Sequence, residues 1–286
     1  MKIKYVILML ALASLYTCAI GKPKKPQLPL QGVVVIIDPG HGDRGNDYIP
    51  ADPGSHATCP NGEDAWEAIF TWDVAMRLRS HIVNKGGKVF LTLRDPSGDY
   101  TPKNWGPQKF PLLGKKGTEL FLYKTLVDIP DPKTITEALA SRAATANRIY
   151  RKYKATSDVY FLSIHFDSTS PTVVGMSFYH ATAGGTPFKH VLCEQIKREK
   201  REHKYIATGE PHKLCIPKNY AVLRNSINPD SYLIELGNIQ SDNEGRNPDL
   251  WRMRNPKSRE AYAKLLTRAL VKRRLIPKIK GSLIEI

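Results

Sequence analysis

The chain has 286 residues, 41% hydrophobic and 24% charged, with 43 Lys and Arg against 27 Asp and Glu for a formal charge of +16. That composition excludes intrinsic disorder and collagen-like repeats, and the length fits one large domain or two small ones. The basic excess calls for an anionic partner, and charge alone leaves nucleic acid, a membrane surface and an acidic polymer such as a bacterial cell wall open.

The first element is an export signal. Lys2 and Lys4 flank the start of an eleven-residue apolar run, Tyr5 to Leu15, and Ala19-Ile20-Gly21 supplies small residues for a cleavage site. Residues 1–21 therefore read as a secretory signal peptide. Eleven apolar residues fall short of the roughly 20 a spanning helix needs, so no stable membrane span is expected after cleavage. Leu15-Tyr16-Thr17 in front of Cys18 is a poor lipid-attachment context, which makes a lipoprotein the lesser reading. Export to the periplasm or cell envelope sets nucleic acid aside as a partner. Cleavage removes two lysines and no acid, leaving a charge of +14 and three cysteines, Cys59, Cys193 and Cys215. In an oxidising compartment Cys193 and Cys215 are candidates for a disulfide, and with no CxxC pair a cysteine-rich structural zinc site has no support.

Residues 22–32, rich in Pro and Lys, form an extended tether. Val33 to Ile37 is a continuous apolar run ending at Asp38-Pro39-Gly40, the pattern of a strand buried on both faces. Trp66, Ile69, Phe70, Val74, Leu78 and Ile82 recur at three- and four-residue steps and predict a helix packed on a sheet. Further strands are predicted at Lys88 to Leu93, Val159 to Ile164, Gly175 to Tyr179 and Tyr232 to Leu236, and helices at Ile135 to Lys152, Phe188 to Lys200 and Ser258 to Arg273. Alternating strands and helices give a single α/β domain over residues 33–275, a mixed and mostly parallel central sheet with helices on both faces, followed by a tail at 276–286. The proline- and glycine-rich segment at about 96–133 breaks the rhythm and reads as an edge insertion, with Thr118 to Val127 a short helix inside it.

Four segments place metal-capable or acidic side chains at strand ends or helix starts. They are His41 in the glycine turn after the first strand, Glu67 opening the first helix, His165 in Ser163-Ile164-His165-Phe166-Asp167, and Glu235 inside the last apolar strand. Sites in open α/β sheets collect at the carboxyl ends of strands, so these four can converge across the length of the chain. Each has an ordinary alternative: a hydrogen-bonded core histidine, or a glutamate that complements a helix dipole. Glu235 is the hardest to dismiss, because a carboxylate directly after Tyr232-Leu233-Ile234 is costly to bury without a cation or a donor. Two imidazoles and a carboxylate with an open fourth position make a catalytic zinc set, and a further glutamate nearby is what such a site needs as general base.

Taken in order, Asp38-Pro39-Gly40-His41-Gly42, Glu67 with Trp72, Ala75 and Leu78, Leu93-Arg94-Asp95, Leu139-x-x-Arg142 with Ala146-Asn147, Asp158 leading into Ser163-Ile164-His165, and Glu235-Leu236-Gly237 resemble the zinc-dependent N-acetylmuramoyl-L-alanine amidases. The resemblance runs from about Val33 to Leu275. It implies one zinc ion per chain on His41, Glu67 and His165, Glu235 as the catalytic glutamate, and peptidoglycan as substrate, cleaved between N-acetylmuramic acid and L-alanine. It also leaves room for an activator protein. A non-catalytic wall-binding or scaffold protein on the same fold, and a zinc-dependent deacetylase of wall sugars, are the alternatives. The chain departs from the family pattern at Asp43, where a second glycine is usual, at Asp167, and in enlarged stretches at Asp52 to Gly62 and between Arg94 and Arg142. Asp43 and Asp167 are candidates for orienting the histidines, each with a solvated loop as the plain alternative. Arg142 is expected to pair with a buried acid or with carbonyls at a helix end.

Overall fold

The computed structural model describes residues 27–42, 52–58, 64–94, 125–128, 132–168, 175–181, 187–202, 214–240 and 248–276. In chain order its strands are β1 (Val33–Pro39), β2 (His56–Thr58), β3 (Asp64–Trp66), β4 (Lys88–Leu91), β5 (Leu93–Arg94), β6 (Thr125–Leu126), β7 (Asp158–Asp167), β8 (Ser177–His180), β9 (Leu214–Pro217) and β10 (Ser231–Asn238). The helices are α1 (Glu67–Asn84), α2 (Ile135–Tyr153), α3 (Pro187–Glu202), α4 (Ala221–Arg224), α5 (Pro248–Arg254) and α6 (Pro256–Leu275). Asp43, the expected signal peptide at 1–21, most of the expected insertion at about 96–133 and residues 277–286 lie outside the described residues.

Six strands form the central sheet in the order β4-β1-β7-β10-β8-β9. β4, β1, β7 and β10 run parallel, β8 pairs antiparallel with β10, and β9 runs parallel to β8. The sheet is thus mixed and mostly parallel. β1 sits between two partners and every residue of it is buried, which is why its sequence reads as an unbroken apolar run instead of alternating. One face packs Val33, Val35, Ile37, Leu162, Ile164, Tyr232 and Ile234 against α1, α3, α5 and α6. The other packs Val34, Ile36, Val159, Phe161 and Leu233 against α2 and α4.

Each long helix has a local reason to start where it does. Thr134 caps α2 by accepting the Glu137 amide at 3.1 Å, and the Glu137 carboxylate reaches back to the Lys133 amide at 2.7 Å, a close relative of the reciprocal capping box. Asn255 caps α6, with Pro256 in its first turn. Helix α1 has no side-chain cap, and its first residue, Glu67, faces the sheet edge. A buried ion pair ties α1 to α6: Asp73 accepts from Arg77 at 2.8 Å and from Arg259, and Arg259 also donates to the Met253 carbonyl at 2.7 Å.

Two local expectations change. Thr125–Leu126 is a strand that pairs antiparallel with Leu93–Arg94, where a short helix was expected over Thr118 to Val127. Two residues of pairing partner decide that outcome, and local periodicity carries no information about them. Strand β9 (Leu214–Pro217), which pairs parallel with β8 at the edge of the central sheet, is also absent from the elements that the sequence predicts. Cys193, buried in α3, is disulfide-bonded; the side chain of Cys215, the candidate partner, lies outside the described residues. Among the described residues no helix is long and apolar enough to cross a membrane.

Candidate metal and active site

The carboxyl ends of β1, β7 and β10 and the amino end of α1 meet at one edge of the sheet. His41 follows β1, His165 lies near the end of β7, Glu235 pairs in register with His165 across β7 and β10, and Glu67 opens α1. One nitrogen from each imidazole and one oxygen of Glu67 lie within 4.8 Å of one another. His41 Nε2 is 3.2 Å from Glu67 Oε2, and His165 Nδ1 is 3.1 Å from Glu67 Oε1. The two rings meet edge to face with centroids 5.1 Å apart.

The backbone fixes this geometry. Gly40 donates its amide to the Ile164 carbonyl at 2.7 Å, and its own carbonyl accepts from Thr71 Oγ1 at 2.8 Å, so strand, loop and helix are tied at one residue. A Cβ at Gly40 would lie 2.5 Å from the His165 ring, and one at Gly54, where φ is +72°, would lie 2.7 Å from the His41 ring; glycine is required at both. The Glu67 carboxylate also accepts from the amides of Ser55, at 3.1 Å, and Phe166, at 3.0 Å. Its orientation is therefore held from a loop and from strand β7 at once.

His41 itself adopts φ +60°, an unfavourable conformation for a residue with a side chain. Arg142 compensates. Its Nη1 donates to Asp38 Oδ1 at 2.6 Å and to the Pro39 carbonyl at 2.7 Å, and its Nη2 donates to the His41 carbonyl at 2.8 Å. Asp38 also accepts from Ser163 Oγ at 2.6 Å and from Thr92. Burial opposes charge on Asp38, but the Arg142 guanidinium and the two hydroxyls hold its carboxyl below the usual range. The buried pair is a brace under the His41 loop.

The partner that orients His41 is Asp52. His41 Nδ1 is 2.9 Å from both carboxylate oxygens of Asp52, and the Gly42 amide donates to the Asp52 carbonyl at 2.6 Å. Sequence reasoning placed Asp52 only at the start of an enlarged stretch. A signal was present: Asp52-Pro53-Gly54 repeats the tripeptide Asp38-Pro39-Gly40. Asp167 ends β7, half-buried, where its charge adds to the field on Glu235. Tyr179 and Tyr220, which sequence reasoning did not single out, meet edge to face at 5.2 Å and lie within electrostatic reach of Glu235.

The site is short of positive charge. Burial lowers the proton affinity of His41, but its hydrogen bonds to Asp52 and Glu67 outweigh burial and raise its pKa to about 10. Burial works against charge on Glu67 as well, and there the two histidines prevail, holding the carboxyl well below its ordinary range. In Glu235 burial prevails: its pKa is raised well above the ordinary value by desolvation, then by Glu67 and Asp167, against the opposing influence of His41. Its Oε2 is buried and has no hydrogen-bond partner among the described residues. Two imidazoles and a carboxylate that share protons at these distances are a donor set that fits a divalent cation, with ligand chemistry suited to zinc.

The model of the N-acetylmuramoyl-L-alanine amidases matches residues 35–272. The chain belongs to that family. The matched stretch contains His41, Glu67, His165 and Glu235, and family membership makes the protein an amide hydrolase of peptidoglycan. No curated protein matches the amidase. Among solved structures it is similar to the amidase Ami1 from Mycobacterium smegmatis, at 19% identity over 86% of this chain and 98% of that one, with a TM-score of 0.56. It is likewise similar to AmiC2 of Nostoc punctiforme, at 19% identity over 85% and 97% of the two chains, TM-score 0.54. A third is CwlD from Clostridioides difficile, solved in complex with the GerS lipoprotein, at 19% identity over 84% and 98%, TM-score 0.52. At these identities the likeness speaks for the fold of the amidase.

Proposed function

We propose that the amidase cleaves the bond between N-acetylmuramic acid and the first L-alanine of the stem peptide with one zinc ion held by His41, Glu67 and His165. The observation that carries this reading is the convergence of the three donors within 4.8 Å beside Glu235, whose Oε2 is buried with no hydrogen-bond partner among the described residues. When bound, zinc polarises a carbonyl and lowers the pKa of water to roughly 7. Glu235 then takes a proton at Oε2 from the attacking water and returns it to the departing amine nitrogen of alanine. A proton affinity raised by burial suits a group that both takes and gives a proton. Glu67 and the amides of Ser55 and Phe166 hold the ligand geometry, and Asp52 fixes the His41 ring so that Nε2 faces the site.

Mass spectrometry of peptidoglycan digested with and without a chelator tests the bond and the metal together. The expected products are stem peptides with a new amino-terminal alanine, lost on chelation and restored by zinc. Free acetate, or release unaffected by the chelator, would overturn the reading. A second expectation concerns Asp52: Asp52→Ala should weaken zinc binding about 10- to 100-fold, as removal of a ligand's hydrogen-bond partner typically does. Competition with a metal indicator measures it directly. Affinity unchanged from the parent protein would mean that Asp52 only decorates the loop.

A further inference from the structure

The edge of the sheet opposite the site has a composition of its own. β1, β4, β7 and β10 begin there, and α1, α2 and α6 end there. Residues 28–32 join these ends: Leu30 donates its amide to the Lys85 carbonyl at 2.8 Å, and Gly32 accepts the Asp158 amide at 3.0 Å. Six exposed cations, Lys88, Arg151, Lys152, Lys154, Lys272 and Arg274, crowd this edge. Several rest on aromatic rings, with Lys88 and Lys152 at 5.2 and 5.4 Å from the Tyr153 centroid and Lys154 at 5.8 Å from that of Tyr150. The acids among the described residues here are Asp158, paired with Arg274 at 3.3 Å, and Asp230, which accepts the Tyr232 hydroxyl at 2.8 Å.

Cations at helix carboxyl ends complement the helix dipole, and that accounts for part of the cluster. It does not account for the aliphatic side chains among them. Leu28, Val83, Leu275 and Ile276 expose 51%, 50%, 74% and 40% of their surface at the same edge. Single exposed aliphatics are ordinary, but four of them ringed by Lys and Arg have the make-up of a surface that lies on an anionic bilayer. A wall glycan or another polyanion would engage the cations and leave the aliphatics in water. A second copy of the same face would be repelled.

We propose that this edge docks on anionic phospholipid. The Lys and Arg side chains meet headgroup phosphates while Leu28, Val83, Leu275 and Ile276 enter the boundary between headgroups and acyl chains. The metal site, at the opposite edge of the sheet, then faces away from the membrane. The proposal is independent of the chemistry assigned to that site.

The test is co-sedimentation of the full chain with vesicles containing phosphatidylglycerol and with vesicles of phosphatidylcholine alone. An edge variant carries Arg151→Gln, Lys152→Gln, Lys154→Gln and Lys272→Gln; a control carries Lys197→Gln, Lys218→Gln, Lys257→Gln and Lys264→Gln and loses the same charge elsewhere. The parent protein should prefer the anionic vesicles, the edge variant should lose about tenfold or more of that preference, and the control should stay within about twofold, because each basic residue near an anionic surface contributes separately. Leu275→Ser with Ile276→Ser should weaken anionic-vesicle binding, and added salt should weaken it in the parent protein. Equal losses in the two charge variants, equal binding to both vesicle types, or salt-independent binding would overturn the proposal. So would an edge variant that loses affinity for purified peptidoglycan sacculi and keeps its vesicle binding.

Discussion

Glu235→Gln should bind zinc as the parent protein does and hydrolyse peptidoglycan about 10² to 10⁴ times more slowly, the range that one positioned proton-transfer group typically supplies. Glutamine keeps the volume and the polar head at a site where Oε2 is buried and has no hydrogen-bond partner among the described residues, so packing changes little while the ability to accept a proton is lost. Stability should be equal or higher. Burial raises the pKa of Glu235 well above that of a free carboxyl, so near neutrality folding must either take up a proton at this position or bury a charge, and the amide avoids both. Slow turnover with intact metal binding and an unchanged or raised Tm is the expected combination. Full turnover would remove Glu235 from the mechanism, and loss of zinc would move it into the ligand set.

Arg142→Met should cost about 3–5 kcal/mol, because it strands Asp38 as a buried charge without its counter-ion. In a domain of this size that corresponds to a fall in Tm of about 10 °C. The penalty should also depend on pH, with a definite sign. In the parent protein the Asp38 pKa is lowered in the folded state, so its contribution is present above the unfolded value of about 3.9 and is lost as pH falls through the lower folded value. Without Arg142 burial dominates at Asp38 and should raise its folded pKa above the unfolded one. The variant should then recover stability relative to the parent as the solution is acidified towards pH 4. Thermal melts at a series of pH values measure this, and a penalty independent of pH would show that the guanidinium acts through packing alone. Zinc affinity should fall as well, since Arg142 donates to the carbonyls of Pro39 and His41 and holds His41 at φ +60°.

The two variants differ in how visible their residues are in the sequence. Glu235 stands out because it interrupts an apolar run, and the energetic objection to burying it is already a functional hint. Arg142 stands out less: a cation in an amphipathic helix is ordinary until the fold shows that it points inward at Asp38, 104 positions earlier. The distance in sequence between His41 and Asp52 hid that pair in the same way. A carboxylate eleven residues from a histidine has no periodic relation to it, and the two segments meet where the Gly42 amide donates to the Asp52 carbonyl. The strand at Thr125–Leu126 and the edge strand β9 were missed because strands of two and four residues owe their existence to the partner they lie beside.

Charge and length opened three anionic partners, and family membership answers for the substrate through a handful of residues that contribute little to the net charge. The layers, and the four residues that meet at the candidate site, could be nominated from local pattern, because buried strands must be apolar and a buried carboxylate in such a run is costly without a partner. The folded chain adds the groups that hold those residues: Asp52 on His41, Arg142 on Asp38, and the amides of Ser55 and Phe166 on Glu67. It also decided where the basic excess lies, since cations scattered over helix ends and loops gather on one edge only when parallel strands bring all those ends together. Hydrophobic patterning acts over a few residues and can be read locally, whereas hydrogen bonds and ion pairs between distant segments exist only after the chain has closed around them.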